Sequence, residues 1–292
     1  MSFITPLFFS LRPSHWIKNF FIFIPLIFGK QLFNIPYCFR ASLGFCFFSM
    51  ASSAAYLMND MADVDHDKLH PTKKLRPLAA GKVNIKAVKI ASVFLAFLSL
   101  AGSFMMSAYF GLVIFFYLIL NYAYSEFLKE IVIIDVFCLA VFFLLRIFAG
   151  SLLVQVEISY WLIIMVSLLS LFLGFNKRRQ ELKVLTKKAF KHRHVLFKYN
   201  FYFIDQMIVI ITSSIVIAYM LYTLDARTVK QFGTNKLIYS IPFVYYGVFR
   251  YLYLIHKIGK EADPTRILLA DKMMQINLML WIGVCVMVIY LK

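Results

Sequence analysis

Ala41-Ser-Leu-Gly-Phe-Cys-Phe-Phe-Ser-Met-Ala-Ser-Ser-Ala-Ala-Tyr-Leu-Met58 carries no charge and runs directly into Asn59-Asp-Met-Ala-Asp-Val-Asp-His-Asp67. An apolar run of this kind approaches the ~20 residues a membrane-spanning helix needs. The four carboxylates that follow belong at a membrane boundary. The rest of the chain repeats the pattern. Of its 292 residues 62% are hydrophobic and 15% charged, against roughly 45–50% and 25% in soluble domains. That excludes a soluble enzyme, a disordered chain and a secreted disulfide scaffold. Nine apolar segments can be drawn, at about 19–35, 38–58, 86–105, 108–125, 131–153, 158–176, 203–223, 237–255 and 273–291. They are continuous, without the two-residue alternation of barrel strands. The expected fold is an all-α polytopic membrane protein of about nine transmembrane helices, a single domain over 1–292. The short link near Met106-Ser-Ala-Tyr109 makes the third and fourth spans antiparallel neighbours.

Thirty-one Lys and Arg against 14 Asp and Glu give a formal charge of +17. These bases lie between apolar runs, so they face anionic headgroups or phosphorylated substrates, and nucleic acid is not the expected partner. With the N-terminus inside, 23 bases fall on the inner side and six on the outer, with Arg146 and Arg250 within spans. This bias sets the N-terminus in the cytoplasm and the C-terminus outside. Leu11 to Lys18 precedes an apolar run without a small-residue cleavage site, so it reads as an uncleaved first helix. Cys38, Cys46, Cys138 and Cys285 lack ligand spacing and read as small core residues.

Asn59 to Asp67 reads NDxxDxxxD. At 100° per residue, Asp60, Asp63 and Asp67 share a helix face about 60° wide, Asn59 flanks it and Asp65 points away. Three carboxylates on one face repel, and at a membrane boundary they call for a cation. Mg2+ suits them, as a hard ion that takes one or two carboxylates and fills its shell with water and substrate phosphates. The plainer reading is a solvated helix end balanced by nearby lysines. His70-Pro-Thr-Lys-Lys-Leu-Arg-Pro-Leu-Ala-Ala-Gly81 follows, a proline- and glycine-fixed loop carrying Lys73, Lys74 and Arg76, all suited to phosphate.

Tyr124, Lys129 and Asp135 form a third cluster. Asp135 and Arg146, eleven residues apart, share a helix face, and Gly150 lets a neighbour approach it. Ionisable groups within spans are functional candidates by default. A structural ion pair is the alternative for Arg146. Asn176-Lys-Arg-Arg-Gln-Glu-Leu182 opens a second long loop, with Lys177 four and Arg178 three residues before Glu181. Lys187, Lys188, Lys191 and Arg193 continue its basic run. Substrate binding and headgroup binding by a surface helix explain this loop equally well. The histidines, His192 and His194 included, lack zinc spacing, and no P-loop, GxGxxG or GxSxG occurs. Asp205 receives no role.

Taken together, NDxxDxxxD at a cytoplasmic helix end of a nine-helix membrane protein resembles the UbiA prenyltransferase superfamily. Further stretches resemble the branch of it that moves phosphoribosyl groups onto polyprenyl phosphates. They are Leu11-Arg-Pro with Trp16 and Lys18-Asn19, His70-Pro-Thr-Lys with Arg76-Pro, and Tyr124-Ser with Leu128-Lys129. Leu145-Arg146 with Ala149-Gly150, Lys177-Arg178 with Glu181-Leu182, and Asp263-Pro264 with Asp271, Gln275 and Trp281 complete the set. The likeness covers essentially the whole chain. It departs from ordinary prenyltransferases at their second Asp-rich motif, where this chain has KRRQEL and a basic run with Glu181 as the sole acid.

The resemblance implies a UbiA-like bundle with its active site at the cytoplasmic side of a bacterial cell membrane. It implies two anionic substrates, phosphoribosyl diphosphate and a polyprenyl phosphate of the decaprenyl type, and a Mg2+ cofactor on Asp60, Asp63 and Asp67. Asn59 joins these three as the catalytic set. Lys18, Lys73, Lys74, Arg76, Tyr124, Lys129, Asp135, Arg146, Lys177, Arg178 and Glu181 form the substrate-binding set. Membrane lipids are partners, and a homo-oligomer stays open. Two other readings also stay open. One is prenyl transfer from a prenyl diphosphate to an aromatic or lipid-head acceptor. The other is a lipid binder or transporter, which acids at the inner face rather than mid-membrane disfavour.

The topology is directly testable. Reporter fusions at Lys292 and within 177–202 should report opposite sides of the membrane, and finding both on one side would mean an even number of spans between that segment and Lys292.

Overall fold

The computed structural model describes residues 4–69, 72–185, 198–258 and 270–290. All regular structure among them is helical. They form two compact units, one reaching from residue 4 to 158 and the other built from 159–185 and the described residues from 199 onward. The first unit contains α1 (Ile4–Ser10), a 3₁₀ stretch (Pro13–Phe23), α2 (Ile24–Phe28), α3 (Ile35–Ala62) and α4 (Val64–Leu69). A 3₁₀ turn (Lys73–Leu75), α5 (Ile85–Met106), α6 (Ala108–Glu126), a second turn (Leu128–Glu130) and α7 (Ile134–Val154) complete it. The second unit holds α8 (Tyr160–Leu185), α9 (Phe201–Leu224), α10 (Ala226–Phe232), a 3₁₀ stretch (Lys236–Ser240), α11 (Ile241–Ile258) and α12 (Lys272–Tyr290).

Seven helices among the described residues, α3, α5, α6, α7, α8, α9 and α12, are long and apolar enough to cross a membrane. The expected first span differs. It is a 3₁₀ stretch of 11 residues followed by an α-helix of five, together about 30 Å long if straight. Pro25 has no N–H to give the Phe21 carbonyl, which accepts from Ile24 instead, so the tighter winding persists to that point. The expected eighth span likewise begins as 3₁₀, and its α-helix starts only at Ile241, with Pro242 in its first turn. Between α5 and α6 only Ser107 intervenes, in extended backbone, with its N–H on the Ser103 carbonyl.

The first unit is organised around α3, which packs on α5, α6, α7 and the 3₁₀ stretch. Most of its buried residues are small, among them Ser49, Ala51, Ser52, Ser53, Ala54 and Ala55. Small residues let helix backbones approach where lipid offers no hydrophobic drive between helices. Serines on α5 use that proximity. Ser92 donates to the Ala54 carbonyl at 2.9 Å and Ser99 to the Phe47 carbonyl at 2.7 Å. Phe48, Phe110, Ile114, Tyr117, Phe142 and Leu145 fill the core beside them. Of the cysteines, Cys138 and Cys285 are buried as expected, whereas Cys46 lies on an exposed face of α3.

Gly150 behaves as its position suggests. A Cβ there would stand 2.1 Å from the Ile22 carbonyl oxygen, so the 3₁₀ stretch lies directly against α7. Gly150→Ala should therefore lower the thermal midpoint of the purified protein, at a cost on the order of 1–3 kcal/mol for a forced backbone shift. An unchanged midpoint would show that the stretch is not clamped there.

Candidate functional site

In the first unit α3 ends at Ala62, and Asp63 caps it before α4 begins. The backbone ladder barely breaks. Asp63 N–H donates to the Asn59 carbonyl at 2.9 Å and Asp67 N–H to the Asp63 carbonyl at 2.8 Å. The helical face therefore survives the junction. The Asp60 and Asp67 side chains are 4% and 3% exposed and Asp63 is 20% exposed, whereas Asp65 is 86% exposed and pairs with Lys68 at 2.9 Å.

Each of the three inward carboxylates meets a cation, and the cations come from three separate segments. Arg12, ahead of the 3₁₀ stretch, pairs with Asp60. Arg76, from the loop after α4, directs one nitrogen, Nη1, to Asp60 Oδ1 at 3.1 Å and also to Asp67 Oδ2. Lys129, between α6 and α7, donates to Asp63 Oδ1 at 2.6 Å. Ser125 donates to Asn59 Oδ1 at 3.2 Å, which orients the amide beside the carboxylates. Burial pushes the Asp67 carboxyl above the usual range, opposed by the charges of Arg76 and Lys73 and reinforced by Asp60. Lys68 holds the exposed Asp65 below that range.

Among the described residues no three acidic, histidine or cysteine side chains stand ready as a metal cage. Two carboxylate oxygens nonetheless converge on a single cationic atom, Arg76 Nη1. Two carboxylates and open positions are the donor set Mg2+ uses when phosphates and water complete its shell. The residues therefore fit that ion, with a guanidinium nitrogen standing at the point a cation would take.

Of the other expected residues in this unit, Lys73 is half-buried and Lys74 exposed on the turn before Arg76, and Lys18 is half-buried on the 3₁₀ stretch. Tyr124 packs edge-on against Phe142 at 5.9 Å. Asp135 and Arg146 are both buried on α7. Arg146 donates to Asn19 Oδ1 at 2.8 Å, the Phe142 carbonyl at 2.5 Å and the Tyr117 hydroxyl at 3.3 Å. Rings of Phe48, Tyr117 and Phe143 lie within 5.5 Å of its guanidinium carbon. Among the described residues it is held by neutral partners and not by the ion pair weighed from sequence.

In the second unit Lys177, Arg178 and Glu181 do not open a loop. They continue α8, whose long side chains favour helix and whose spacing allows pairs along it. Arg178 is fully buried and paired with Glu181, and Lys177 is half-buried. Arg179 donates to Asp205 at 2.6 Å, giving a partner to the acid that sequence left without a role. Arg250 pairs with Asp271 at 2.8 Å, and Asp271 also accepts from the Met274 N–H at the start of α12. His70, Pro71, Lys187, Lys188, Lys191, His192, Arg193, His194, Asp263 and Pro264 lie outside the described residues.

Sequence reading missed Arg12, counted only as an inner charge, and Ser125. Arg12 stands within the Leu11-Arg-Pro motif, which was the available signal.

The family model of the UbiA prenyltransferase family matches residues 20–178. Decaprenyl-phosphate phosphoribosyltransferase of Mycobacterium tuberculosis is 29% identical over 278 residues, covering 94% of this chain and 91% of that protein. The protein of the same description from Corynebacterium glutamicum is 29% identical over 287 residues, covering 97% and 86%. A UbiA homologue from Archaeoglobus fulgidus, solved bound to GPP and Mg2+, matches with a TM-score of 0.73 at 20% identity over 97% of this chain and 99% of that one. At that identity the structural likeness establishes the fold.

The unequal exposure of the four aspartates yields a paired prediction. Asp60→Asn and Asp67→Asn should each abolish turnover, while Asp65→Asn should remain near wild type in a transfer assay. Because the Asp67 carboxyl is raised in the fold, its protonated form is the better accommodated. Its favourable contribution to stability is present at low pH and is lost as pH rises through the raised value. At neutral pH, Asp67→Asn should thus melt no lower than wild type while being inactive. A marked drop in thermal midpoint would mean that the ion pair outweighs the desolvation.

Proposed function

The chain belongs to the UbiA prenyltransferase family, and on that premise we propose that it transfers the 5-phosphoribosyl group of phosphoribosyl diphosphate to a polyprenyl phosphate, releasing diphosphate. The observation that carries the reading is the interleaving of Asp60, Asp63 and Asp67 with Arg12, Arg76 and Lys129. A site of alternating carboxylates and cations suits a polyanion that arrives with a divalent ion. Two further features favour phosphoribosyl diphosphate over a prenyl diphosphate as donor. The two curated relatives from Mycobacterium tuberculosis and Corynebacterium glutamicum, at 29% identity over more than nine-tenths of this chain, carry the phosphoribosyl name, and the stretch after the sixth span is KRRQEL rather than a second Asp-rich motif.

Asp60 and Asp67, with Asp63 beside them, would hold Mg2+, which supplies positive charge against the departing diphosphate. Arg12, Arg76 and Lys129 stand at the same carboxylates and would take phosphate oxygens through charge-assisted hydrogen bonds. In the reaction a phosphate oxygen of the acceptor bonds to ribose C1 as the bond from C1 to the diphosphate oxygen breaks. The electron pair leaves with diphosphate, and positive charge develops at C1. Stabilising the leaving group is the main electrostatic task. The acceptor, a phosphate monoester with a second pKa near ~6, is anionic at neutral pH, so no strong general base is required. Bacterial relatives favour the cell membrane as the location, with the site on the cytoplasmic side.

Purified protein with Mg2+, labelled phosphoribosyl diphosphate and a polyprenyl phosphate should release diphosphate only when the lipid is present. The lipid product should carry ribose 5-phosphate. Prenyl transfer from a prenyl diphosphate to an aromatic acceptor, with no reaction from phosphoribosyl diphosphate, would overturn this reading.

A further inference from the structure

Arg12 holds φ 54 and ψ 59, left-handed backbone. A residue other than glycine keeps that conformation only where its surroundings fix it. Local backbone bonds hold part of it, with Arg12 N–H donating to the Phe9 carbonyl at 3.2 Å and the Arg12 carbonyl accepting from His15 N–H at 2.9 Å, and one hydroxyl from α3 adds to them. Ser53, buried on α3, donates from Oγ to the Leu11 carbonyl at 3.0 Å, and the same Oγ accepts from Trp16 Nε1 at 3.0 Å. The two bonds grip the chain on either side of Arg12, one residue before it and four after.

The rest of the connection lies on the same helix. Ser53, Tyr56 and Asp60 recur at three and four residues and so share one face of α3. The Arg12 guanidinium lies 4.9 Å from the centre of the Tyr56 ring and reaches Asp60 one turn beyond. In the other direction Asn19 donates to Ser49 at 2.9 Å and Ser52 at 3.2 Å. The N-terminal segment is thus fastened along α3 by successive serines, and Ser53 is the fastening nearest the site.

We infer that Ser53 is a positioning residue that acts through Arg12: its hydroxyl helps hold the left-handed turn that aims the guanidinium at Asp60, and so governs binding of the diphosphate group there. The inference rests on the proposed function only as far as diphosphate is concerned, which is common to phosphoribosyl and prenyl donors.

The test is a double-mutant cycle on the full chain in lipid nanodiscs, with Mg2+ and inorganic diphosphate as the probe and calorimetry as the readout. Ser53→Ala should weaken diphosphate binding by about tenfold, the scale of one charge-assisted contact. Arg12→Ala should weaken it at least as much. Ser53→Ala in the Arg12→Ala background should add less than about twofold, since residues acting through one another are not additive. Trp16→Phe, which removes only one of the two bonds, should show a smaller loss with the same dependence on Arg12. This provides the cycle if Ser53→Ala does not fold. Multiplying losses in the double variant, or unchanged binding in folded Ser53→Ala, would overturn the inference. Coupled losses in a protein that does not use phosphoribosyl diphosphate would leave it standing and remove only the donor assignment.

Discussion

Three carboxylates crowded at a membrane boundary cannot be left to themselves, and the first unit is arranged around that constraint. Asp60 and Asp67 are nearly excluded from solvent. Repulsion and desolvation together would drive one to take up a proton, and the upward push on Asp67 is the residue of that tension. The three carboxylates are answered by Arg12, Arg76 and Lys129, delivered from three places in the chain. The N-terminal segment, the loop after α4 and the turn before α7 must all close on the same helix end. A carboxylate cluster therefore does structural work as the convergence point of otherwise separate segments.

The choice of cations follows from what each must reach. Arg76 serves two carboxylates with a single nitrogen, and a planar guanidinium retains further N–H groups directed elsewhere. Lys129 serves a single carboxylate, the more exposed Asp63, for which a point charge suffices. Arg146 presents a contrasting solution deeper in the same unit. None of the groups it bonds among the described residues is a carboxylate. Its charge rests on an amide oxygen, a main-chain carbonyl, a phenol and three aromatic rings. Asn19 is what makes this possible, accepting from Arg146 while donating to two serines of α3. The guanidinium thus ties the 3₁₀ stretch to α6 and α7.

Much of this was legible in the sequence because it depends on short-range periodicity. The uncharged runs fixed most spans to within a few residues, and the 100° spacing separated Asp65 from its three neighbours. Pairing by i,i+3 on α8 was readable for the same reason. The illegible parts depend on long-range contacts. Nothing local to Arg12 points to Asp60, 48 residues away. Apolar content alone does not distinguish an α-helix from the 3₁₀ stretch ahead of Pro25. The continuation of α8 past Asn176 was hidden for another reason: charge density was read as loop, whereas Lys, Arg, Gln and Glu are good helix formers once the helix has left the bilayer.

The 3₁₀ stretch also accounts for how a short segment can serve both the site and the core. Rising about 2.0 Å per residue against 1.5 Å for an α-helix, it carries the chain farther for the same number of residues. Asn19 and Ile22 are its buried residues, three apart, and residues at that spacing eclipse one another in a 3₁₀ helix. One line of contact therefore faces inward, where Asn19 meets α3 and α7 and the Ile22 carbonyl meets Gly150. The remaining faces present Ile17 and Phe20 outward. With Ile22 set against α7 and Trp16 bonded to Ser53, the stretch behaves as a strut, and Arg12 at its head is held against Asp60 by contacts along α3 and α7.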